Sequence, residues 1–116
     1  MELAKACIML VRLLGLAAII IGGLMWMNAY GPYLKPHLAL GFSVVTLVFA
    51  MGVVALTKRA VGLGIAGILL ALVLPMVGFM QLPLVARAMG AMQVAHIAVA
   101  LCVIGVAERL YSVVRS

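Results

Sequence analysis

The sequence predicts an all-α membrane protein, an up-down bundle of four transmembrane helices with both termini in the cytoplasm. Three observations carry this prediction. Of the 116 residues, 69% are apolar and 9% charged, with a mean hydropathy of +1.42. An ordinary soluble domain is about half apolar and a quarter charged, and a small one keeps too much surface in water to hide such a side-chain load. The apolar residues also fall into four runs divided by short breaks. At ~20 residues per crossing the chain has room for about four spans and no soluble domain. Finally, Lys5, Arg12, Lys58, Arg59, Arg109 and Arg115 fall on one side of these spans, Lys35 and Arg87 on the other. Cations concentrate on the cytoplasmic side, which puts both termini and the middle loop there. The expected location is a bacterial inner membrane. A soluble enzyme, a secreted disulfide scaffold and a disordered chain are excluded.

The spans follow in order as a single domain over 1–116. The first covers about 13–30, after an amphipathic lead, MELAKACIMLVR, and ends at Trp26 and Tyr30, whose rings favour the headgroup layer. Its apolar run of ~18 residues exceeds the usual signal-peptide core of up to about 15, so it is read as a retained span. GPYLK is read as a loop, with Gly31 and Pro32 as breakers. The second span, 36–57, begins with Pro36, whose missing N–H costs nothing in a first helical turn. Lys58 and Arg59 close it. The third, 60–80, contains Pro75, expected to kink or end it locally. After Gln81, Leu82 and Pro83, the fourth helix starts near Leu84 and extends as far as Val114, with its spanning part at about 88–110. Short loops make consecutive helices antiparallel neighbours. Glycines on every span supply the close backbone approach that lipid-embedded helices need.

The net charge of +6 would suggest nucleic acid in a soluble protein. Here it reads as a topology signal, and no nucleic-acid partner is expected. Cys7 and Cys102 form no CxxC pair and are expected as buried, unreactive thiols. Glu2 and Glu108 are the only acids. Glu108 is expected to pair with Arg109, Arg12 or Lys5. A carboxylate within the first span, which a proton-coupled small multidrug transporter needs, is missing, and nothing forms a hydrolytic or phosphate-binding motif.

The chemistry-bearing residues are the histidines, because an ionisable group in a membrane is costly and faces a partner in the bundle interior. His37 and His96 are the only two. They lie toward the outward ends of the second and fourth spans, which are diagonal in an up-down bundle. This shared feature points to a duplicated hairpin. Two imidazoles facing each other across a bundle core are what a six-coordinate haem b takes as axial, metal-binding ligands. Gly41 and Ala100 each follow a histidine by four residues, on the same helix face, and leave room for a flat macrocycle. Lys35 and Arg87 supply cations for the propionates, and Tyr33 a further hydrogen bond. One feature opposes this arrangement. His37 is two residues past Lys35 and His96 nine past Arg87, which predicts depths roughly 10 Å apart.

The segments KPHLALGFSVV and QVAHIAVAL resemble the ligand-bearing helices of four-helix haem bundles, the nearest being one half of a haem A synthase. There, too, histidines at the outward ends of helices two and four hold a haem. The resemblance covers about forty residues. That family usually carries a Glu shortly before its helix-two histidine, where Leu34, Lys35 and Pro36 stand here, so it implies haem binding and electron transfer but not haem-farnesyl oxidation.

Three readings follow. The first is a b-type haem electron carrier or haem-bearing subunit of a membrane redox complex, at most an electron-transfer component of an oxidoreductase. Other membrane subunits or a homo-oligomer are its expected partners and quinone a candidate one. The second is a cofactor-free accessory subunit of a larger respiratory or photosynthetic complex. The third is a copper or small-solute transporter, suggested by the outward Met25, Met27, Met76, Met80, Met89 and Met92, since thioethers favour Cu(I). Met is equally a flexible apolar filler.

Overall fold

A computed structural model describes residues 2–27, 31–81 and 89–116. All four elements there are helices: α1 (Glu2–Met27), α2 (Gly31–Thr57), α3 (Val61–Phe79) and α4 (Met89–Val114). Each is long and apolar enough to cross a membrane, and the chain is an all-helical membrane protein. Two boundaries differ from the sequence reading. α1 begins at Glu2, because the amphipathic lead continues the helix and buries Ala4, Ile8 and Val11. α2 begins at Gly31, so the expected GPYLK loop is helical and Pro32, not Pro36, sits in its first turn. Pro75 lies inside α3 without ending it. The expected turn at Leu82 and Pro83 lies outside the described residues.

Neighbouring helices pack pairwise in chain order, and α4 also closes on α1. Of the two diagonals, α2 touches α4, whereas α1 and α3 stay apart. The cross-section is therefore a rhombus with α2 and α4 on its short axis. Between them lies a solid core of Val44, Val48, Met51, Val103, Ala107 and Leu110, joined by Ile8 and Val11 from α1 and Ala71 and Leu74 from α3.

Lipid tails offer no hydrophobic drive for helix association, so close van der Waals packing must supply it. The tightest approach is between α2 and α3. A Cβ on Gly64 would lie 2.8 Å from the Gly52 carbonyl oxygen and 2.7 Å from Leu56 Cδ2, and one on Gly67 would lie 2.8 Å from Leu110 Cδ1. The two helices are joined by a three-residue turn, Lys58–Ala60. Ala60 N–H donates to the Ala55 carbonyl at 3.0 Å and Arg59 N–H to the Leu56 carbonyl at 3.1 Å. This is the Schellman closure of a helix end. It holds Arg59 at φ 62°, a left-handed conformation usually left to glycine.

The first residue of α1, the α2–α3 turn and the end of α4 share one end of the bundle, where Lys58 Nζ donates to the Ser116 carbonyl at 2.8 Å. Arg12 forms two hydrogen bonds to Glu108, at 2.7 and 2.8 Å, choosing among the three cations expected for that acid. Cys102 is exposed rather than buried and Cys7 is half-buried; both are free thiols. Position 102 falls on the outer face of α4, beside exposed Leu101.

Gly64→Leu should force α2 and α3 apart. Overpacking of this kind costs about 1–3 kcal/mol. Equilibrium unfolding in mixed detergent should show that loss, while Gly62→Leu, whose Cβ meets nothing within 4 Å, should leave stability near that of the unmodified chain.

Candidate functional site

Toward the opposite end the core opens into a cavity of about 160 Å³. Its walls are apolar, with Trp26 from α1, Leu38 and Phe42 from α2, Phe79 from α3 and Ile97 from α4. Both histidines enter it. Their ring centroids are 6.0 Å apart, with the ring planes at 62°. The depth difference expected from the flanking cations is therefore not present. The reason is helix length: α2 reaches His37 six residues after Gly31, and α4 reaches His96 seven residues after Met89.

Each histidine is seated in the same way by the helix before it. The His37 ring lies over Gly22, where a Cβ would approach Cε1 to 3.1 Å. Its Nδ1 is 3.0 Å from the Ala18 carbonyl, one turn earlier on α1. The His96 ring lies over Gly78, again with a hypothetical Cβ at 3.1 Å from Cε1. The Leu74 carbonyl, one turn before Gly78, neighbours that ring without meeting Nδ1 in hydrogen-bonding geometry, so Nδ1 of His96 is buried and unpartnered.

The Ala18 contact fixes the tautomer of His37. A carbonyl only accepts, so Nδ1 carries the hydrogen and Nε2 keeps the lone pair. Orientation of one ring nitrogen by a backbone carbonyl is the usual way an imidazole is prepared as a metal ligand. The buried, unpartnered Nδ1 of His96 leaves the second ring less fixed.

The repeat extends below the histidines. One constant shift along the chain carries Ile8, Val11, Gly15, Ala18 and Gly22 of α1 onto Gly64, Gly67, Ala71, Leu74 and Gly78 of α3. A second carries His37, Val44, Val48 and Met51 of α2 onto His96, Val103, Ala107 and Leu110 of α4. Within each pair the burial class agrees except at Ala18 and Leu74. The two helical hairpins thus present the same inward-facing positions.

Other expected site residues are placed as follows. Gly41 and Ala100 line the cavity, and a Cβ on Gly41 would meet nothing within 4 Å. Lys35 is exposed in the first turns of α2 and Tyr33 half-buried. Arg87 lies outside the described residues. The methionines do not gather here: Met25 lines the cavity, but Met27, Met76 and Met80 are 81%, 64% and 44% exposed, and the Met89 side chain is outside the described residues. Sequence reasoning missed Gly22, Gly78 and Ala18. It also missed Gln81 and Gln93, which add polar groups to the cavity wall.

Among the described residues, no group of three or more His, Cys, Asp or Glu side chains converges on a metal position. A haem iron asks for less, because the macrocycle supplies four nitrogens and the protein only the two axial ones. With iron–nitrogen bonds of about 2 Å, as for zinc and imidazole, two axial rings have their centres about 6 Å apart. The observed ring spacing and the glycine beneath each ring are compatible with that group, whereas the unpartnered His96 Nδ1 lacks the second hydrogen bond that orients a ligating imidazole. No protein-family profile, no curated protein and no solved structure matches the chain.

Gly22→Leu should displace the His37 ring and break its contact with Ala18. In ¹⁵N-histidine-labelled protein, the Nδ1-protonated tautomer of His37 should lose its dominance while His96 signals change less. Gly78→Leu should reverse the pattern.

Proposed function

We propose that this chain is an integral membrane haem b protein that transfers electrons, alone or as the haem-bearing subunit of a membrane redox complex. The observation that carries the reading is the approach of the only two histidines to 6.0 Å across an apolar cavity, from diagonal helices. His37 and His96 would hold the iron, and Lys35 and Arg87 would supply cations for the propionates. Gly41 and Ala100 leave the space beside each ligand clear. A haem held by two imidazoles supplies one-electron transfer with no open position for substrate. The protein's own part is to fix the His37 tautomer through Ala18, to seat both rings on glycine, and to exclude water with aromatic and aliphatic walls.

Among the described residues, Met27, Met76 and Met80 are exposed and do not support the copper reading. A cofactor-free accessory subunit is the reading that remains if the haem test fails. The membrane is proposed to be a bacterial inner membrane, with both termini and the Lys58–Ala60 turn cytoplasmic and the histidines near the outward face. Membrane subunits or further copies of the chain are the proposed partners, with quinone a candidate redox partner.

Protein expressed with haem supplied should show a Soret band and resolved α and β bands on dithionite reduction. His37→Ala and His96→Ala should each convert the low-spin spectrum to high-spin or lose the haem, and Arg87→Ala should weaken binding while leaving a low-spin spectrum. Absence of a haem spectrum from folded protein would refute this reading. In intact cells, Lys58→Cys should resist an impermeant thiol reagent until the membrane is opened; prompt labelling would reverse the orientation.

A further inference from the structure

The end of the bundle carrying the α2–α3 turn interleaves exposed charge, at Glu2, Lys5, Lys58, Arg59, Arg109 and Arg115, with exposed apolar residues. α3 exposes Val61 and Ile65 immediately after the turn, and α1 exposes Leu3 and Leu10, at 77% and 44%. The groove between α1 and α4 differs. Glu108 lies eight residues before Ser116, about 12 Å along the helix, and Arg12 lies ten residues after Glu2, about 15 Å. Their ion pair forms the upper end of a polar strip, with its side chains 48% and 38% exposed.

Lys5 and Arg115 extend this polar strip. Each lies seven residues, two helical turns, from its helix's member of the ion pair, and so on the same face. Both are exposed, as are Met9 and Ser112 between the two levels. Arg115 is steadied over the Tyr111 ring at 5.3 Å. Above the ion pair the surface becomes apolar again, with Leu16, Ile20 and Leu101 more than half exposed. The strip is closed above, open toward the bundle end, and holds three cations against Glu108, already engaged by Arg12, and Glu2 at its open end.

We infer that the α1–α4 groove binds the phosphate of an anionic membrane lipid, whose headgroup lies beside Lys5, Arg12 and Arg115. A lipid phosphate there supplies a negative partner in charge-assisted hydrogen bonds to cations that Glu108 alone leaves in excess. The excess of cations selects an anionic headgroup over a zwitterionic one.

The test reconstitutes the protein in nanodiscs of equal phosphatidylglycerol and phosphatidylcholine and identifies retained lipid by native mass spectrometry. The unmodified chain should retain phosphatidylglycerol several-fold over phosphatidylcholine. Lys5→Gln with Arg115→Gln, which spares the Arg12–Glu108 pair, should abolish the preference. Lys58→Gln with Arg59→Gln removes equal charge from the same end and should preserve it. In unmodified protein with ¹³C-labelled arginine, contacts from arginine side-chain carbons to lipid phosphorus should appear in solid-state NMR, a readout independent of any variant's folding. Equal loss in both double variants, no headgroup preference, no carbon–phosphorus contact, or a two-chain mass with this face closed by a second copy would each overturn the inference.

Discussion

The approach of α2 to α3 at Gly52 and Gly64 is the contact on which the remaining geometry depends. In water a helix pair is driven together by apolar burial; in lipid that drive is absent, and association rests on atoms brought within van der Waals range. A glycine on each side lets backbone meet backbone, as the 2.8 Å between a Gly64 Cβ and the Gly52 carbonyl oxygen records. With α3 drawn so close, Leu110 of α4 enters against Gly67, and α2 and α4 meet across the short diagonal. The two histidines sit at the far end of that diagonal. Their spacing follows from packing below them more than from attraction between the rings.

Small and large residues divide along the chain to the same effect. Where α3 places Gly64 and Gly67, the equivalent positions of α1 carry Ile8 and Val11. α1 consequently stands off from the diagonal pair and fills the distance with side chain. Above this solid half, the inward residues of α1 become small, at Gly15, Ala18 and Gly22, α3 presents Gly78 beneath His96, and the interior opens. The cavity is what remains when the diagonal helices stay in contact while α1 loses bulk.

Much of the fold was legible because composition alone fixes the solvent, and four apolar runs in this length leave one arrangement of crossings. The helix ends were less legible. Gly31 and Pro32 read as breakers, yet Gly and Pro are tolerated in a first turn, and the amphipathic lead of α1 carried helical periodicity without enough apolar length to suggest a span. At the site, both histidines could be named from rarity alone. Their seats could not, because Gly22 and Gly78 look like any other small residue until the neighbouring helix is in place. The apparent depth mismatch arose from counting along the chain from Lys35 and Arg87, when the helix starts were the better reference. The paired burial positions of the two hairpins share few identical residues, so the repeat is carried by size and spacing and is faint in the letters.

That repeat bears on how the molecule is put together. Each hairpin completes its own glycine seat before the other is needed, since His37 rests on the helix preceding it and so does His96. Insertion of the chain can thus finish two half-sockets separately, and only the docking of the hairpins turns them into a cavity. A haem bound between the rings, as proposed, would act as a clasp joining the two halves, so that occupancy and the last step of assembly would become a single event. A chain emptied there would keep its four crossings and its solid half while its other end relaxed, giving the cell a membrane protein whose completeness is registered at one end of the bundle.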